Sequence, residues 1–171
     1  MGFIIRRTLP EDAYECTACR IASWRAAYRG IIPDEYLDSL SIEERAEKLK
    51  EYLNNEPKDH EGHCVIYENE IIGILSIGKC RDEDKPDAGE IEAIYFLEKF
   101  WGKGCGIELI DFAIDRLKSM GYTEIIIWVL EENNRARKFY EKRGFAFDGT
   151  KKEIIIGKPL IEIRYVLNPA V

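Results

Sequence analysis

The chain has 171 residues, 46% of them apolar and 33% charged, with a formal net charge of −7 and five cysteines. That length suits one folded domain over residues 1–171 with a substantial core; no apolar run nears the ~20 residues of a membrane span, and MGFIIRRTLPED turns acidic too soon for a secretory signal. The acidic balance, without a long basic block, argues against a nucleic-acid partner, and an odd number of cysteines argues for reduced thiols in a cytoplasmic setting.

Residues 3–7 read as a short strand. Thr8, Pro10 and Glu11 form a capping-box pattern that opens a helix, with Ala18, Ile21, Trp24 and Tyr28 at helical spacing and an end near Gly30. Residues 30–33 make a hinge-like break, and Tyr36, Leu37 and Leu40 follow. Ser41 and Glu44 form a second capping box, and the next helix turns Ile42, Leu49 and Leu53 towards a core before stopping at Asn54 and Asn55. Residues 63–67 and 71–77 are strand-like runs joined by a hairpin at Glu68, Asn69 and Glu70. A charged surface loop over residues 80–89 leads to a strand over 90–96. The helix predicted over 106–120 buries Ile107, Ile110, Ile114 and Leu117, with Gly121 just past its end. A strand over 123–130, a helix between Asn133 and Gly144, and a closing hairpin of residues 145–156 and 160–167 complete the chain. The order β-α-α-β-β-β-α-β-α-β-β describes a mixed α/β fold, and no repeat or linker divides it.

The richest stretch lies between residues 91 and 144. A strand empties into Trp101, Gly102, Lys103, Gly104, Cys105 and Gly106, where a helix starts. Three alternate glycines clear side chains from the backbone, and the helix directs its unpaired N–H groups and positive dipole end at the same spot, which outlines a phosphate cradle. A dinucleotide fingerprint fails, because its third glycine falls on Ile107 or Leu109; a P-loop fails, because Lys103 is followed by Gly104.

The remaining pattern, two glycines in x-x-Gly-x-Gly after an apolar strand end, resembles the Arg/Gln-x-x-Gly-x-Gly/Ala signature of the GNAT superfamily of acetyl-CoA-dependent N-acetyltransferases. Gly104 and Gly106 match it, and Trp101 holds the Arg/Gln position. Downstream, Asn133, Ala136, Tyr140, Gly144 and Phe145 fill every fixed position of the family's Asn-x-x-Ala-x-x-x-Tyr-x-x-x-Gly-Phe motif. The resemblance implies a central mixed, mostly antiparallel sheet of about seven strands flanked by four helices. It implies too that the sheet splays between its fourth and fifth strands, with acetyl-CoA in the opening. The backbone of Ile94, Tyr95 and Phe96 would bond the pantetheine arm, residues 101–107 (Trp101, Gly102, Lys103, Gly104, Cys105, Gly106 and Ile107) would hold the pyrophosphate, and Asn133, Ala136 and Tyr140 would border the cofactor from the next helix.

Transfer of an acetyl group from a thioester to an amine needs a neutral amine, a stabilised oxyanion and a proton for the departing thiolate. Tyr140 shares a helical face with Asn133 and Ala136, and a phenol is mostly protonated at neutral pH, so it is the candidate acid. Asn133 also reads as the cap of its own helix. Glu90 and Glu92, two apart on one strand, share a face; the resemblance implies a strand carboxylate here as general base, so both are candidates, although the bulge usual in the family would change which way each points. The segment from Trp24 to Tyr36 resembles the helix–loop–helix that lines the acceptor pocket in the family, which implies Trp24, Tyr28 and Tyr36 as an apolar slot or a cation–π surface for an amine. No metal is expected: Cys16 and Cys19 lie in a predicted helix without a second pair, and His60 and His63 have no partner nearby in sequence. The expectation is direct transfer in a ternary complex with an amine, on a small molecule or a protein. The alternative is a non-catalytic acyl-CoA-binding or sensing module, which has no use for a proton donor at Tyr140. The acceptor is not legible, and family members are often homodimers, which leaves a homodimer open.

Overall fold

The computed structural model describes residues 2–168. A seven-stranded sheet runs in the order β1-β2-β3-β4-β5-β7-β6, antiparallel except between β4 and β5. Its strands are β1 (Ile4–Arg7), β2 (His60–Tyr67), β3 (Glu70–Lys79), β4 (Gly89–Phe96), β5 (Ile125–Leu130), β6 (Ala146–Ile156) and β7 (Lys158–Leu167). The helices are α1 (Ala13–Tyr28), α2 (Asp34–Asp38), α3 (Ile42–Asn54), α4 (Cys105–Ser119) and α5 (Asn134–Lys142). The expected seven strands are present; α2 is a fifth helix that the sequence reading left as irregular chain.

Local chemistry explains most boundaries. Glu68 and Asn69 both adopt left-handed backbone, with φ of 50° and 64°, as a two-residue hairpin requires. Ser41 Oγ accepts the Glu44 N–H at 3.2 Å and caps α3 as expected. The Thr8 capping box is a correction. A 3-10 turn at Pro10–Asp12 precedes α1, and the Asp12 carboxylate, not Thr8, takes the Leu9 N–H at 2.8 Å. Asp12 is held by Arg6 as well, so the chain enters α1 through a charged clamp on β1.

α4 supplies the main core on one face of the sheet. Leu109, Ile110, Ala113 and Leu117 are fully enclosed against Ile77, Ile91 and Ile125. Ile107 does not join them. It is 46% exposed, because it lies two residues from the enclosed Cys105 and so on the other side of the first turn of α4; Leu109 takes the core position instead. On the opposite face α1 and α3 cover β2, β3 and β4, with Cys16 and Cys19 packed against Cys64 and Ile74. All five cysteines are buried free thiols. The α1–α2 loop abuts the β6–β7 turn: a Cβ on Gly157, at φ +70°, would stand 3.0 Å from Tyr36 Cβ.

The parallel pair β4–β5 is the feature that makes a site. Gly89 pairs with Ile125 and Glu90 with Ile126, and there the register ends. Beyond those two rungs the strands diverge. Between β3 and β4 the pairing skips a residue, since Ser76 faces Ala93 and Ile77 faces Ile91. Glu92 is therefore the extra residue of a β-bulge, and Ile91 and Ile94, three apart, reach the same core under α4.

Candidate active site

The divergence of β4 and β5 opens a cavity of about 660 Å³. Glu92, Ile94, Tyr95 and Phe96 form one wall, Ile127, Trp128 and Val129 the other, and the start of α4 with one face of α5 closes the end. The glycine turn lies at its rim. Gly102 and Gly104 adopt φ of 71° and 88°, and Gly104 is the N-cap of α4. The Trp101 N–H is bonded to Glu98 and the Ile107 N–H to Gly104. Between them, the N–H groups of residues 102–106 have no acceptor among the described residues. Five free donors at a helix N-terminus make an anion cradle. Gly102, Gly104, Gly106, Ile107 and Trp101 line the cavity; Lys103 and Cys105 do not. Lys103 leans over the Phe100 ring, and Cys105 is 1% exposed with its side chain in the core.

On α5, Asn133 Oδ1 accepts the Ala136 N–H at 3.2 Å, so the cap role is real and leaves the carboxamide NH₂ for other use. Asn133, Ala136 and Tyr140 all line the cavity, as their seven- and four-residue spacing requires. Tyr140 is 8% exposed, and burial pushes its phenol well above its ordinary pKa, with the neighbouring Tyr95 adding to the effect. The group is thus a fully protonated donor. Tyr28 also borders this cavity, its hydroxyl 3.0 Å from that of Tyr95.

The sequence reading gave Glu90 and Glu92 equal standing, and the structure separates them. Glu90 is 1% exposed and accepts from Arg81 three times, from the backbone N–H and from Nε at 3.1 Å and from Nη2 at 2.6 Å. It lines neither cavity and ties the loop after β3 to the sheet. Glu92, pushed out by the bulge, borders the cavity described above and a second one of about 390 Å³ between α1, α3 and the sheet.

The model of the acetyltransferase (GNAT) family matches residues 23–145, which include both glycine turn and α5. The chain belongs to this family. An uncharacterized N-acetyltransferase of Bacillus subtilis is 30% identical over 131 residues, 75% of this chain and 72% of its own. A probable N-acetyltransferase of Mycobacterium tuberculosis is 31% identical over 149 residues, 85% of this chain and 80% of its own. Among solved structures, the PaiA N-acetyltransferase of Thermoplasma acidophilum, in complex with coenzyme A, superposes with a TM-score of 0.77 over 95% of this chain and 98% of that one, at 24% identity.

Within this GNAT chain, Trp101 departs from the family's Arg/Gln, and the structure shows what it does instead. Its indole N–H donates to the Phe96 carbonyl at 2.9 Å, pinning the glycine turn to the end of β4. The guanidinium of Arg135 lies over its ring at 3.3 Å. Arg135 therefore brings a positive charge from α5 to the rim where the signature residue is missing. Spacing on one element could not have revealed this, because the two positions are 34 residues apart and on different elements.

The second cavity also gathers residues that sequence reasoning set aside. His60 Nε2 lies 2.9 Å from Ser76 Oγ and 3.2 Å from Glu92 Oε2, and its Nδ1 lies 3.4 Å from Glu56. Burial works against a charged His60, yet hydrogen bonds and charge from Glu92 and then Glu56 raise its pKa above the ordinary value. Burial likewise works against ionised Glu92, but His60, Arg81 and Ser76 hold it below its ordinary value. Trp24 lines this cavity rather than the first. Tyr36 lines neither; it packs with Ile32 and Leu37 beneath the β6–β7 turn.

Proposed function

We propose that the chain is an N-acetyltransferase that takes its acetyl group from acetyl-CoA and passes it directly to an amine within a ternary complex. The observation that carries this reading is the junction at Glu92. One cavity, rimmed by five free backbone donors, and a second, lined by titratable groups, meet at a single carboxylate. Two substrates held on either side of one residue can react without a covalent enzyme intermediate. The buried Cys105 offers no nucleophile to the groove.

Acetyl-CoA bound in the splay would supply an acetyl group activated as a thioester. The residues present fit it. The N–H groups of residues 102–106 and the Arg135 guanidinium would hold phosphate, and the backbone of Ile94, Tyr95 and Phe96 with the Asn133 NH₂ would hold the pantetheine amides. The PaiA N-acetyltransferase of the same fold is in complex with coenzyme A, which supports coenzyme A as the ligand. Ala136 is small where the arm passes. Tyr140, fully protonated, would hydrogen-bond the departing thiolate and supply its proton as charge collects on the sulfur. Glu92 receives the acceptor's ammonium as an ion pair; when His60 is neutral, the amine's proton passes through Glu92 to the imidazole 3.2 Å away. A reducing, cytoplasmic setting suits five free thiols, and residues 1–171 act as one domain in this reading.

The test is release of free thiol from acetyl-CoA in the presence of a panel of amines. Turnover on any amine supports the transferase reading. Binding of CoA without thiol release on any of them would replace it with a non-catalytic acyl-CoA sensor.

A further inference from the structure

The cavity beyond Glu92 is polar in a directed way. Arg20 projects from α1, and Arg45 and Lys48 from α3, all lining it. Neither Arg20 nor Arg45 makes an ion pair or hydrogen bond to any described residue. Arg20 has only the Trp24 ring, 5.8 Å away. All three cations are exposed, and Arg20 and Arg45 differ from Arg6, Arg7, Arg29, Arg81, Arg116, Arg143 and Arg164, each of which pairs with a carboxylate. On the same wall the buried Nε1 of Trp24 is a donor with no acceptor. One end of the cavity thus offers only donors, and they lack partners.

The other end offers acceptors. Glu56, His60, Ser76 and Glu92 meet there, beside the cofactor groove. Tyr52, near the end of α3, packs edge-on against His60 at 5.4 Å. Arg45 lies seven residues earlier on the same helix, which is about 10 Å along its axis. The donor end and the acid end are therefore separated by roughly two helical turns. A ligand that satisfies both carries its charges several bonds apart.

We propose that this cavity is the acceptor site and that its substrate is a primary amine tethered to an oxyanion, phosphate or carboxylate. The amine would lie at Glu92 and the anion on Arg20 and Arg45, with Lys48 one helical turn from Arg45 on the same wall. The proposal rests on the acetyl-transfer reading for what happens to the amine, but not for what binds. It separates this chain from an acetyltransferase for polyamines, whose second cation would meet Arg20 and Arg45.

The test compares four probes of similar length: an aminobutyl phosphate, an aminopentanoate, pentylamine and diaminopentane. With acetyl-CoA, kcat/KM should favour both anionic probes over pentylamine by roughly ten- to a hundredfold, the range expected for one or two hydrogen bonds to a charged group. The ranking of the phosphate and the carboxylate then names the oxyanion. In Arg20→Gln/Arg45→Gln that preference should vanish through KM, with CoA affinity by calorimetry unchanged. Preference for diaminopentane or pentylamine in the wild type, or a preference that survives in the double variant, overturns the proposal. Should no probe turn over, binding decides the site independently of the transferase reading. Calorimetric binding of the aminobutyl phosphate, lost in the double variant, supports the site, and absence of that binding in the wild type overturns it.

Discussion

The two ends of the β4–β5 pair differ in how their charges are met. At the joined end, Glu90 is saturated by Arg81, and Arg164, 3% exposed, is enclosed by Asp82, Asp84 and Asp148. Trp128, from the wall of the splay, reaches Asp82 with its indole N–H at 3.1 Å. Burial there is tolerated because the protein itself supplies every partner. At the open end the N–H groups of residues 102–106 have no acceptor among the described residues, and in the cavity beyond Glu92 Arg20 and Arg45 have no carboxylate among them. The same sheet thus completes its polar groups where it needs rigidity and leaves them open where a ligand would complete them.

The sharpest way to break this contrast is Tyr140→Phe, which keeps the ring and its packing and removes the hydroxyl. If Tyr140 protonates the leaving thiolate, kcat should fall by ~10²–10⁴-fold while KM for acetyl-CoA barely moves. A kcat within about threefold of wild type, with chemistry rate-limiting, would reduce Tyr140 to a packing residue.

The paired carboxylates come next. Glu92→Gln should lower kcat by roughly ten- to a hundredfold, and the loss should be largest above the raised pKa of His60, where the neutral imidazole takes the proton that Glu92 relays, and should narrow as pH falls through it. Glu90→Gln should do the converse. It should leave the shape of the pH–rate profile intact and cost about 1–2 kcal/mol of stability, since Arg81 is exposed enough to find water. A variant pair in which Glu90→Gln, not Glu92→Gln, alters the pH–rate profile would reverse the assignment.

The smallest expected effect concerns His60. Its raised pKa gives stability that is complete below the ordinary histidine range and fades as pH rises through the folded value. The depressed pKa of Glu92 gives stability present above the ordinary carboxylate range and lost as pH falls through the folded value. Their pair should therefore matter most between about pH 5 and 6.5. The stability gap between wild type and His60→Gln, from urea unfolding, should be about 1 kcal/mol or less in that window and shrink by pH 8. A gap that widens at pH 8 would contradict the pairing.

What could be read from the sequence was what lies on one element. Gly104 and Gly106, or Asn133, Ala136 and Tyr140, are spaced by the repeat of a single helix or turn, so their convergence on one cavity was legible. Glu90 and Glu92 were legible as a pair, but the bulge that gives them different surroundings depends on pairing with β3. His60 was missed because Glu92 is 32 residues away and reaches it only through the β2–β3–β4 register. Ile107 fitted the helical repeat, yet its side of the turn faces the groove instead of the sheet. Tyr36 was placed in the pocket by its neighbourhood in sequence, whereas the β6–β7 turn covers it.

The central claim is that the cofactor occupies the splay beyond Glu90, and Gly106→Val tests it most directly. A Cβ at Gly106 would meet Phe139 at 3.5 Å, an ordinary contact, and valine is no worse in a helix than glycine, so the fold should survive with its unfolding midpoint nearly unmoved. Calorimetric titration with CoA should show one site in the wild type and at least a roughly tenfold weaker one in the variant, where the added methyls crowd the phosphate cradle. Equal affinity in a folded variant would mean that the cofactor lies elsewhere.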